Sequence, residues 1–472
     1  MTEAADLTRL TAAETAAAVK SGSARALDVA QASLERIESL NPLLRAFTDV
    51  TAERALQQAA EVDEAIARGD DLPLAGVPFA VKNLFDMEGV VTRSGSKINL
   101  DNAPAQGDAT LVRKLSQAGA VLMGGLNMGE YAYDFTGENV HDGNCLNPHD
   151  TGRMTGGSSS GSGAAAASGM VPVTLGSDTN GSIRVPSSFC GLFGLKPTYG
   201  RLSRHGTYPF VGSLDHLGPL TRSAEDLSLV FDVLQGPDVR DPAQADMPVL
   251  KTLSELEKGA GGLRVAVAGG YFREKAETEA LAAVDKVAAA LGASAEIDIP
   301  EAARARAAAY VITTSEGSNL HFDRIRTRPQ DFDPDTRDRF LSGTMVPAMW
   351  VLQAQRFRSW FRTMMRGIFQ HVDVILAPAT PFSALPSGTK TITLGGETMP
   401  ARPNIGLFTQ PISFIGLPVV AVPVWLDGAA LPIGVQVIAP AWREDLALRV
   451  AHQLGMDGVA AAPVADPAID NI

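Results

Sequence analysis

The chain has 472 residues, of which 45% are hydrophobic and 20% are charged, a composition that is typical of a soluble globular protein. Its formal net charge is −13, and no basic stripe offsets the excess of acids, so we do not expect a nucleic-acid partner. Apolar runs are broken before they reach membrane length, and the N-terminus lacks the apolar region of a signal peptide. These features predict a cytoplasmic protein that does not cross a membrane.

Residues 1–67 predict a helical N-terminal layer. Thr11 and Glu14 have the spacing of a capping box at a helix start. The segment 27–40 then repeats apolar residues at helical spacing, and Asn41-Pro42 predicts its end.

Short apolar segments bounded by turn formers follow, and each predicts a buried strand. Helical patterns lie between them, notably at 109–118, 278–291 and 445–454. Strands that alternate with helices indicate an α/β fold in which helices cover both faces of the sheet. The Arg-rich, acid-rich region 300–345 predicts a solvated helical surface. The predicted strands are 74–81, 120–123, 171–176, 263–268, 372–376, 419–423 and 434–438.

A Gly/Ser tract at 155–163 differs from the rest of the chain. Its composition would also suit a flexible linker, but it continues directly into Ala-rich and apolar sequence, which indicates that it is packed. Glycines allow the backbone to approach a ligand closely, and successive N–H groups can converge on one point. The later segment 179–182 therefore predicts an oxyanion hole.

Three known motifs, each for a nucleophile or for a phosphate site, must be weighed for this part of the chain. The tract contains no lysine, so it is not a phosphate-binding P-loop. Residues 157–161 match Gly-x-Ser-x-Gly, a match that chance alone produces in a Ser/Gly-rich stretch. Residues 94–97 match Ser-x-x-Lys, but the companion Lys-Thr-Gly motif is missing.

Three segments together resemble the amidase signature family: 156–201, 78–86 and 415–424. The resemblance extends over nearly the whole chain and implies one amidase domain without a metal or cofactor. It implies a large mixed sheet in which 68–230 and 370–460 form the catalytic core. Residues 231–369 are then expected to form a helical insertion on the substrate side.

The resemblance implies a catalytic triad of Lys82, Ser158 and Ser182, with Ser158 following a cis peptide bond from Gly157. A serine hydroxyl is a poor nucleophile until a base removes its proton. A buried lysine with a lowered pKa can act as that base without a histidine. Neutral Lys82 is therefore expected to draw a proton from Ser158, which draws one from Ser182.

The residues around the nucleophile complete the expected site. The N–H groups of Thr179, Asn180 and Gly181, with that of Ser182, are expected to hold the oxyanion. Asn180 departs from the family pattern, in which glycine is commoner at this position. Two roles are open: it donates its backbone N–H to the oxyanion, or its side chain shapes the pocket. Asp178 and Arg184 are expected to support this loop, and a simple local ion pair is the alternative.

Within the family, segments 127–150, 177–188 and 199–223 resemble members that hydrolyse 1-carboxybiuret, which implies cleavage of a terminal ureido C–N bond with release of ammonia. A carboxylated substrate requires a cation. Arg339 is the candidate, because the segment 335–343 resembles the one in which the amidotransferase A subunit supplies its substrate-binding arginine. The alternative for Arg339 is an ordinary surface arginine. Tyr133 and Asp134 are expected to line the acyl pocket.

Two other functions are consistent with the sequence, namely a broad carboxamide amidase and the A subunit of a tRNA-dependent amidotransferase. Gly406 lies where that subunit is expected to carry an acid that reads the substrate amine, which argues against the second function. The resemblance also implies a small helical partner subunit. The apolar N-terminal helices offer a surface for such a partner or for a second copy of the chain, and burial of these faces within their own chain is the alternative.

Overall fold

A computed structural model describes residues 7–467 of the chain. Eleven of its strands form one mixed sheet, in the order β1-β3-β2-β6-β8-β7-β14-β15-β11-β9-β10, and the others form two hairpins, β4-β5 and β12-β13. The strands are β1 (Phe47–Val50), β2 (Pro78–Lys82), β3 (Val121–Leu126), β4 (Leu146–Asn147), β5 (Asp150–Met154), β6 (Val173–Asp178), β7 (Phe193–Lys196), β8 (His216–Thr221), β9 (Val265–Ala268), β10 (Ala295–Ile297), β11 (Val374–Pro378), β12 (Thr391–Leu394), β13 (Glu397–Pro400), β14 (Val419–Val424) and β15 (Ile433–Ile438).

Helices pack against this sheet along its length, which confirms the predicted α/β class. Within residues 7–467, no helix is long and apolar enough to span a bilayer. The helices are α1 (Ala12–Ser21), α2 (Ala26–Leu44), α3 (Ala52–Ala67), α4 (Thr110–Gln117), α5 (Ser160–Ala167), α6 (Arg184–Cys190), α7 (Ala224–Leu234), α8 (Tyr271–Glu274), α9 (Thr278–Ala290), α10 (Ala302–Leu320), α11 (Phe322–Thr327), α12 (Pro334–Gly343), α13 (Ala348–Ile368), α14 (Gln410–Phe414) and α15 (Glu444–Met456), with short 3₁₀ turns at Lys97–Asp101, Glu130–Ala132, Leu253–Lys258 and Pro329–Asp331.

All seven predicted strands are present, as β2, β3, β6, β9, β11, β14 and β15. The sequence did not predict β7, which has only four residues, or β8, which contains glycine and proline, two residues that are rare in strand interiors. Nor did it predict β10, which has only three residues.

The N-terminal layer is not wholly helical. Helices α1, α2 and α3 lie there as expected, and the capping box of Thr11 and Glu14 is present. The predicted end of α2 at Asn41-Pro42 is wrong, because the helix continues through Pro42 to Leu44. The four residues of β1, however, join the sheet as its edge strand beside β3. The apolar faces of these helices are buried in a cluster with β3 and α5, so they are covered by their own chain.

The region 231–369 is likewise not purely helical, because β9 and β10 belong to the main sheet. Its helices are also less solvated than the alternating charges predict. Helix α10 packs against α12, α13 and α14, and it buries Ala305, Ala309 and Ile312. This packing brings one face of α10 to the candidate site.

Candidate active site

Lys82 is the last residue of β2, and β2 runs parallel to β6. In this register Val81 pairs with Leu175, which places the next residue, Lys82, beside Gly176 and Ser177. Parallel strands end at the same edge of a sheet, so the base candidate and the loop that follows β6 meet there.

The Lys82 ammonium is completely buried. Its Nζ lies 2.7 Å from Ser158 Oγ and 2.9 Å from Ser177 Oγ and donates a hydrogen bond to each. Burial lowers the pKa of Lys82 to about 7, although the carboxylates of Asp215 and Asp178 act in the opposite direction. A substantial fraction of Lys82 is therefore neutral at neutral pH.

Ser158 lies in the Gly/Ser tract, directly before α5. The peptide bond between Gly157 and Ser158 is cis, as the family resemblance implies. A side chain at Gly157 would collide with the carboxylate of Asp134, so the position requires glycine. The next residue, Ser159, fixes the tract to β6, because its hydroxyl donates to the carbonyl of Ser177 at 3.2 Å.

The loop after β6 presents free donors. Among the described residues, none of the backbone N–H groups from 179 to 182 donates a hydrogen bond, and the Ser182 hydroxyl is also unbonded. Gly181 has a φ of +142°, and a side chain there would collide with Thr409. The Thr409 hydroxyl donates to the carbonyl of Asn180 at 2.6 Å and so fixes the loop from the other side. The loop therefore offers the free backbone donors that an oxyanion hole requires.

Beneath this loop lies a fully buried ion pair between Asp178 and Arg184. Two guanidinium nitrogens each donate to a different carboxylate oxygen of Asp178 at 2.9 Å. The remaining donors of Arg184 reach Thr409 O at 3.1 Å, Gln436 Oε1 at 2.6 Å and the Ser413 hydroxyl. Burial alone would raise the pKa of Asp178, but the adjacent guanidinium holds that pKa well below its usual range.

We expect Arg184→Leu to lower the free energy of unfolding by about 3–5 kcal/mol, because it leaves the Asp178 carboxylate buried without its partner. Urea unfolding measures this loss. Arg153→Leu is the matched control, since Arg153 pairs with Asp150 on the surface and its loss should cost less than about 1 kcal/mol. Equal effects of the two substitutions would contradict the structural role of the buried pair.

Beside Ser182 lies a narrow pocket with room for about one water molecule. A second cavity of 270 Å³ adjoins it, and the side chains of Tyr310 and Arg339 line both. These two residues therefore stand between the outer cavity and the nucleophile. The inner pocket is lined by Ala132, Tyr133, Asp134, Phe135, Thr179, Asn180, Ser182, Phe210, Tyr310, Thr313, Arg339 and Gln410.

Arg339 is stacked on Tyr133. Its guanidinium carbon lies 3.4 Å from the ring centroid, and its Nη1 donates to the Tyr133 carbonyl at 2.6 Å. No carboxylate within residues 7–467 forms an ion pair with Arg339, although the chain as a whole is rich in acids. Burial raises the pKa of the Tyr133 hydroxyl to about 12, although the adjacent Arg339 cation acts in the opposite direction. The pocket therefore contains a cation that has no carboxylate partner among the described residues.

Asp134 has a different environment. Its carboxylate accepts hydrogen bonds from the N–H groups of Thr136 and Gly137, at 2.9 and 2.7 Å, and from the Thr136 hydroxyl. Arg402 forms an ion pair with it at 3.3 Å. These partners occupy the carboxylate, so Asp134 shapes the wall of the pocket.

Sequence reasoning missed Ser177, Tyr310 and Thr313. Ser177 could have been found, because its position follows from the register of two predicted strands. Tyr310 and Thr313 gave no local signal, since they lie on α10, which is distant in sequence from the nucleophile. Within the described residues, no cluster of His, Cys, Asp or Glu could hold a metal ion.

Gly406 does not line the inner pocket but lies against Phe135, which does. A side chain at this position would collide with the ring of Phe135, which lines the inner pocket. An acidic residue could not occupy the site without displacing that ring.

Comparison with known proteins agrees with this geometry. The sequence model of the family described as Amidase matches residues 28–448. The chain is 54% identical over 444 residues to AtzE of Pseudomonas sp. (strain ADP), which is named as a subunit of 1-carboxybiuret hydrolase, with 94% of this chain and 97% of that protein covered. It is 38% identical over 472 residues to the A subunit of the glutamyl-tRNA(Gln) amidotransferase of Chromohalobacter salexigens, with 94% and 95% covered.

A solved structure shares the fold closely. It is described in the words "An unexpected vestigial protein complex reveals the evolutionary origins of an s-triazine catabolic enzyme". It is 53% identical in sequence, superimposes with a TM-score of 0.95, and covers 96% of this chain and 100% of that chain. The large mixed sheet and its helices therefore match a known architecture.

Proposed function

The chain belongs to the amidase family, and we propose that it hydrolyses the terminal C–N bond of a small carboxylated ureido compound of the 1-carboxybiuret type. The observation that carries this proposal is the unpaired Arg339 guanidinium in the same pocket as Ser182. The relative that is 54% identical belongs to a 1-carboxybiuret hydrolase, which supports the same substrate class. The chain works in this proposal as a single amidase domain, in which 68–230 and 370–460 supply most strands of the main sheet and β1, β9 and β10 complete it.

Lys82 is the base in the proposed mechanism. In its neutral form, Nζ accepts the proton of the Ser158 hydroxyl, which lies 2.7 Å away. Ser158 in turn accepts the proton of Ser182. These two serines, both among the described residues, are not hydrogen-bonded here, so the relay forms when the Ser182 hydroxyl turns toward Ser158. Catalytic hydrogen bonds commonly tighten only when substrate is bound.

Ser182 Oγ then attacks the carbonyl carbon of the scissile bond. The N–H groups of Thr179, Asn180, Gly181 and Ser182 stabilise the oxyanion because they have no competing acceptor. The relay returns its proton to the leaving nitrogen, and ammonia departs. Water then attacks the acyl-enzyme and releases a product with a carboxyl group where the substrate had a carboxamide.

Arg339 binds the distal carboxylate of the substrate in this proposal. We expect Arg339→Met to lower kcat/KM for 1-carboxybiuret about 10- to 100-fold, mainly through KM, because a charge-assisted hydrogen bond contributes about 1.5–3 kcal/mol. Steady-state kinetics with 1-carboxybiuret and with uncharged biuret measures the effect. Arg337→Met is the matched control, since Arg337 lies on the same helix and pairs with Asp338. An equal loss on biuret would contradict carboxylate binding.

The test of the proposed function is ammonia release without ATP or tRNA over a panel of 1-carboxybiuret, biuret, allophanate, glutamine and simple amides. Turnover that is strongest with 1-carboxybiuret and absent in Ser182→Ala supports the proposal. Turnover of simple amides alone would favour a broad carboxamide amidase. Turnover of glutamine alone would favour the amidotransferase function, against which the glycine at 406 argues, since that function is expected to need an acid there.

We further propose that the chain works with a small helical partner subunit, and a homodimer is the alternative. Its relative is named as a subunit, and the solved structure is described as a protein complex. The N-terminal helices are covered within the chain, whereas Met345, Met349, Trp350, Leu352 and Trp360 are exposed on and beside α13. Light scattering distinguishes a 49.5 kDa monomer, which leaves this apolar surface for another protein, from a dimer of twice that mass.

The proposed location is the cytoplasm. Cys145 and Cys190 are both buried as free thiols, and burial raises the pKa of each. Free structural thiols are the usual state in a reducing compartment.

A further inference from the structure

Asn180 lies two residues before Ser182 and lines the same pocket. Its Nδ2 donates a hydrogen bond to Thr313 Oγ1 at 2.9 Å, so the side chain is fixed from α10. Its Oδ1 is buried and has no hydrogen-bond partner among the described residues. The amide is therefore held with one acceptor unused.

An unused buried acceptor is costly. Leaving such a group unpaired destabilises the protein, and native proteins pair most of these groups. The Asn180 backbone carbonyl, by contrast, accepts from the Thr409 hydroxyl at 2.6 Å. The backbone carbonyl of Asn180 is thus satisfied, and among the described groups its side-chain Oδ1 is left unpaired in the pocket.

The proposed reaction defines which part of the substrate meets this oxygen. The leaving group is ammonia, so everything else in the substrate lies on the acyl side of the scissile carbonyl. Ser182, Asn180 and Arg339 line one pocket, and the acyl portion must pass through it if its carboxylate reaches Arg339. A ureido acyl group carries an N–H next to the scissile carbonyl, whereas a simple carboxamide carries a carbon there.

We propose that Asn180 is a specificity residue whose Oδ1 accepts a hydrogen bond from the acyl-side N–H of a ureido substrate. This inference rests on the proposed function. It identifies the acyl-side N–H as a second substrate group, besides the carboxylate, that the pocket recognises. A carboxamide with CH₂ in place of that N–H leaves Oδ1 unpaired and is disfavoured. A site that hydrogen-bonds a substrate N–H rejects analogues without it far better than an apolar site does.

Biuret and malonamide provide the probe, because they differ only in N–H against CH₂ between the two carboxamides. Binding of each is measured by calorimetry in the Ser182→Ala background, where no turnover interferes. We expect biuret to bind about 5- to 100-fold more tightly than malonamide. Adding Asn180→Gly should reduce this ratio to near one by weakening biuret binding.

Thr313→Val is the second variant, since it removes the hydrogen bond that orients the Asn180 amide and should lower the ratio in part. Thr314→Val is its matched control, because the Thr314 hydroxyl donates to the helix carbonyl of Tyr310 at 2.9 Å. A ratio that Asn180→Gly leaves unchanged overturns the inference. Ammonia release from 1-carboxybiuret by the protein with Ser182 intact tests the proposed function separately, so the two failures are distinguishable.

Discussion

Ser182→Ala is expected to lower the rate of ammonia release by about 10⁴-fold or more, while the protein stays folded. The Ser182 hydroxyl has no hydrogen bond to another described group, so its removal breaks no structural contact. Without the nucleophile no acyl-enzyme forms, and only binding and the oxyanion donors remain to assist a direct attack by water. The measurement is kcat for 1-carboxybiuret, together with the thermal unfolding midpoint of both proteins.

The matched control is Ser162→Ala. Ser162 is a buried serine of the same tract, and its hydroxyl donates to Leu175 O at 3.1 Å. We expect this variant to lose about 1 kcal/mol of stability and to keep its activity within a few-fold. If Ser182→Ala turns over substrate at the rate of the wild-type protein, Ser182 is not the nucleophile.

Lys82→Met is expected to abolish turnover to a similar extent, about 10⁴-fold, because the relay then lacks its base. In the wild-type protein, kcat/KM should rise with pH through about 7, since Lys82 is active only when neutral and its pKa is about 7. Lys196→Met is the matched control. Lys196 is equally buried, and burial lowers its pKa to about 7 as well, but its ammonium donates to the carbonyls of Pro197 and Leu417. That control should keep the rise near pH 7.

The same Lys82→Met change is expected to stabilise the fold. In the unfolded chain the lysine titrates near 10.5, so between pH 7 and 10.5 the unfolded state binds a proton that the folded state lacks. The cost of burying Lys82 is therefore largest at and below pH 7 and disappears near pH 10.5. A shift of this size corresponds to about 5 kcal/mol, and the loss of two hydrogen bonds offsets about 2 kcal/mol of it.

Urea unfolding of the wild-type protein and Lys82→Met at pH 7 and pH 10 measures this effect. A gain on the order of 3 kcal/mol at pH 7 that shrinks toward pH 10 is the expected result. A loss of both stability and activity at pH 7 would show that Lys82 is a structural cation and not a base.

The sequence predicted the sheet better than the pocket. Strands such as β2 and β6 are short apolar segments with local boundaries, so each could be read without knowing the rest of the chain. Their parallel pairing then brings Lys82 and Ser177 together. The motif residues Ser158 and Ser182 lie at the same edge of the sheet. Catalytic roles for these residues remain predictions until the variants are measured.

The substrate side could not be read in this way. Thr313 contacts Asn180 across 133 residues, and a threonine inside a helix carries no mark of such a contact. Arg339 was predicted from resemblance alone, and only the structure shows that it lacks a carboxylate partner among the described residues. Asp134 was predicted to line the acyl pocket. The structure adds that hydrogen bonds from the N–H groups of Thr136 and Gly137 hold its carboxylate in place.

The pairing of β2 with β6 separates the reactive groups from the residues that contact the substrate. The base and the loop of the nucleophile are carried by adjacent strands, so the spacing of the sheet sets their distance. Tyr310, Thr313 and Arg339 come instead from α10 and α12, which lie outside that pair. Mutations in these two helices can therefore change which molecule is accepted without displacing the reactive groups. Such a division would let new substrate preferences evolve on a constant catalytic apparatus.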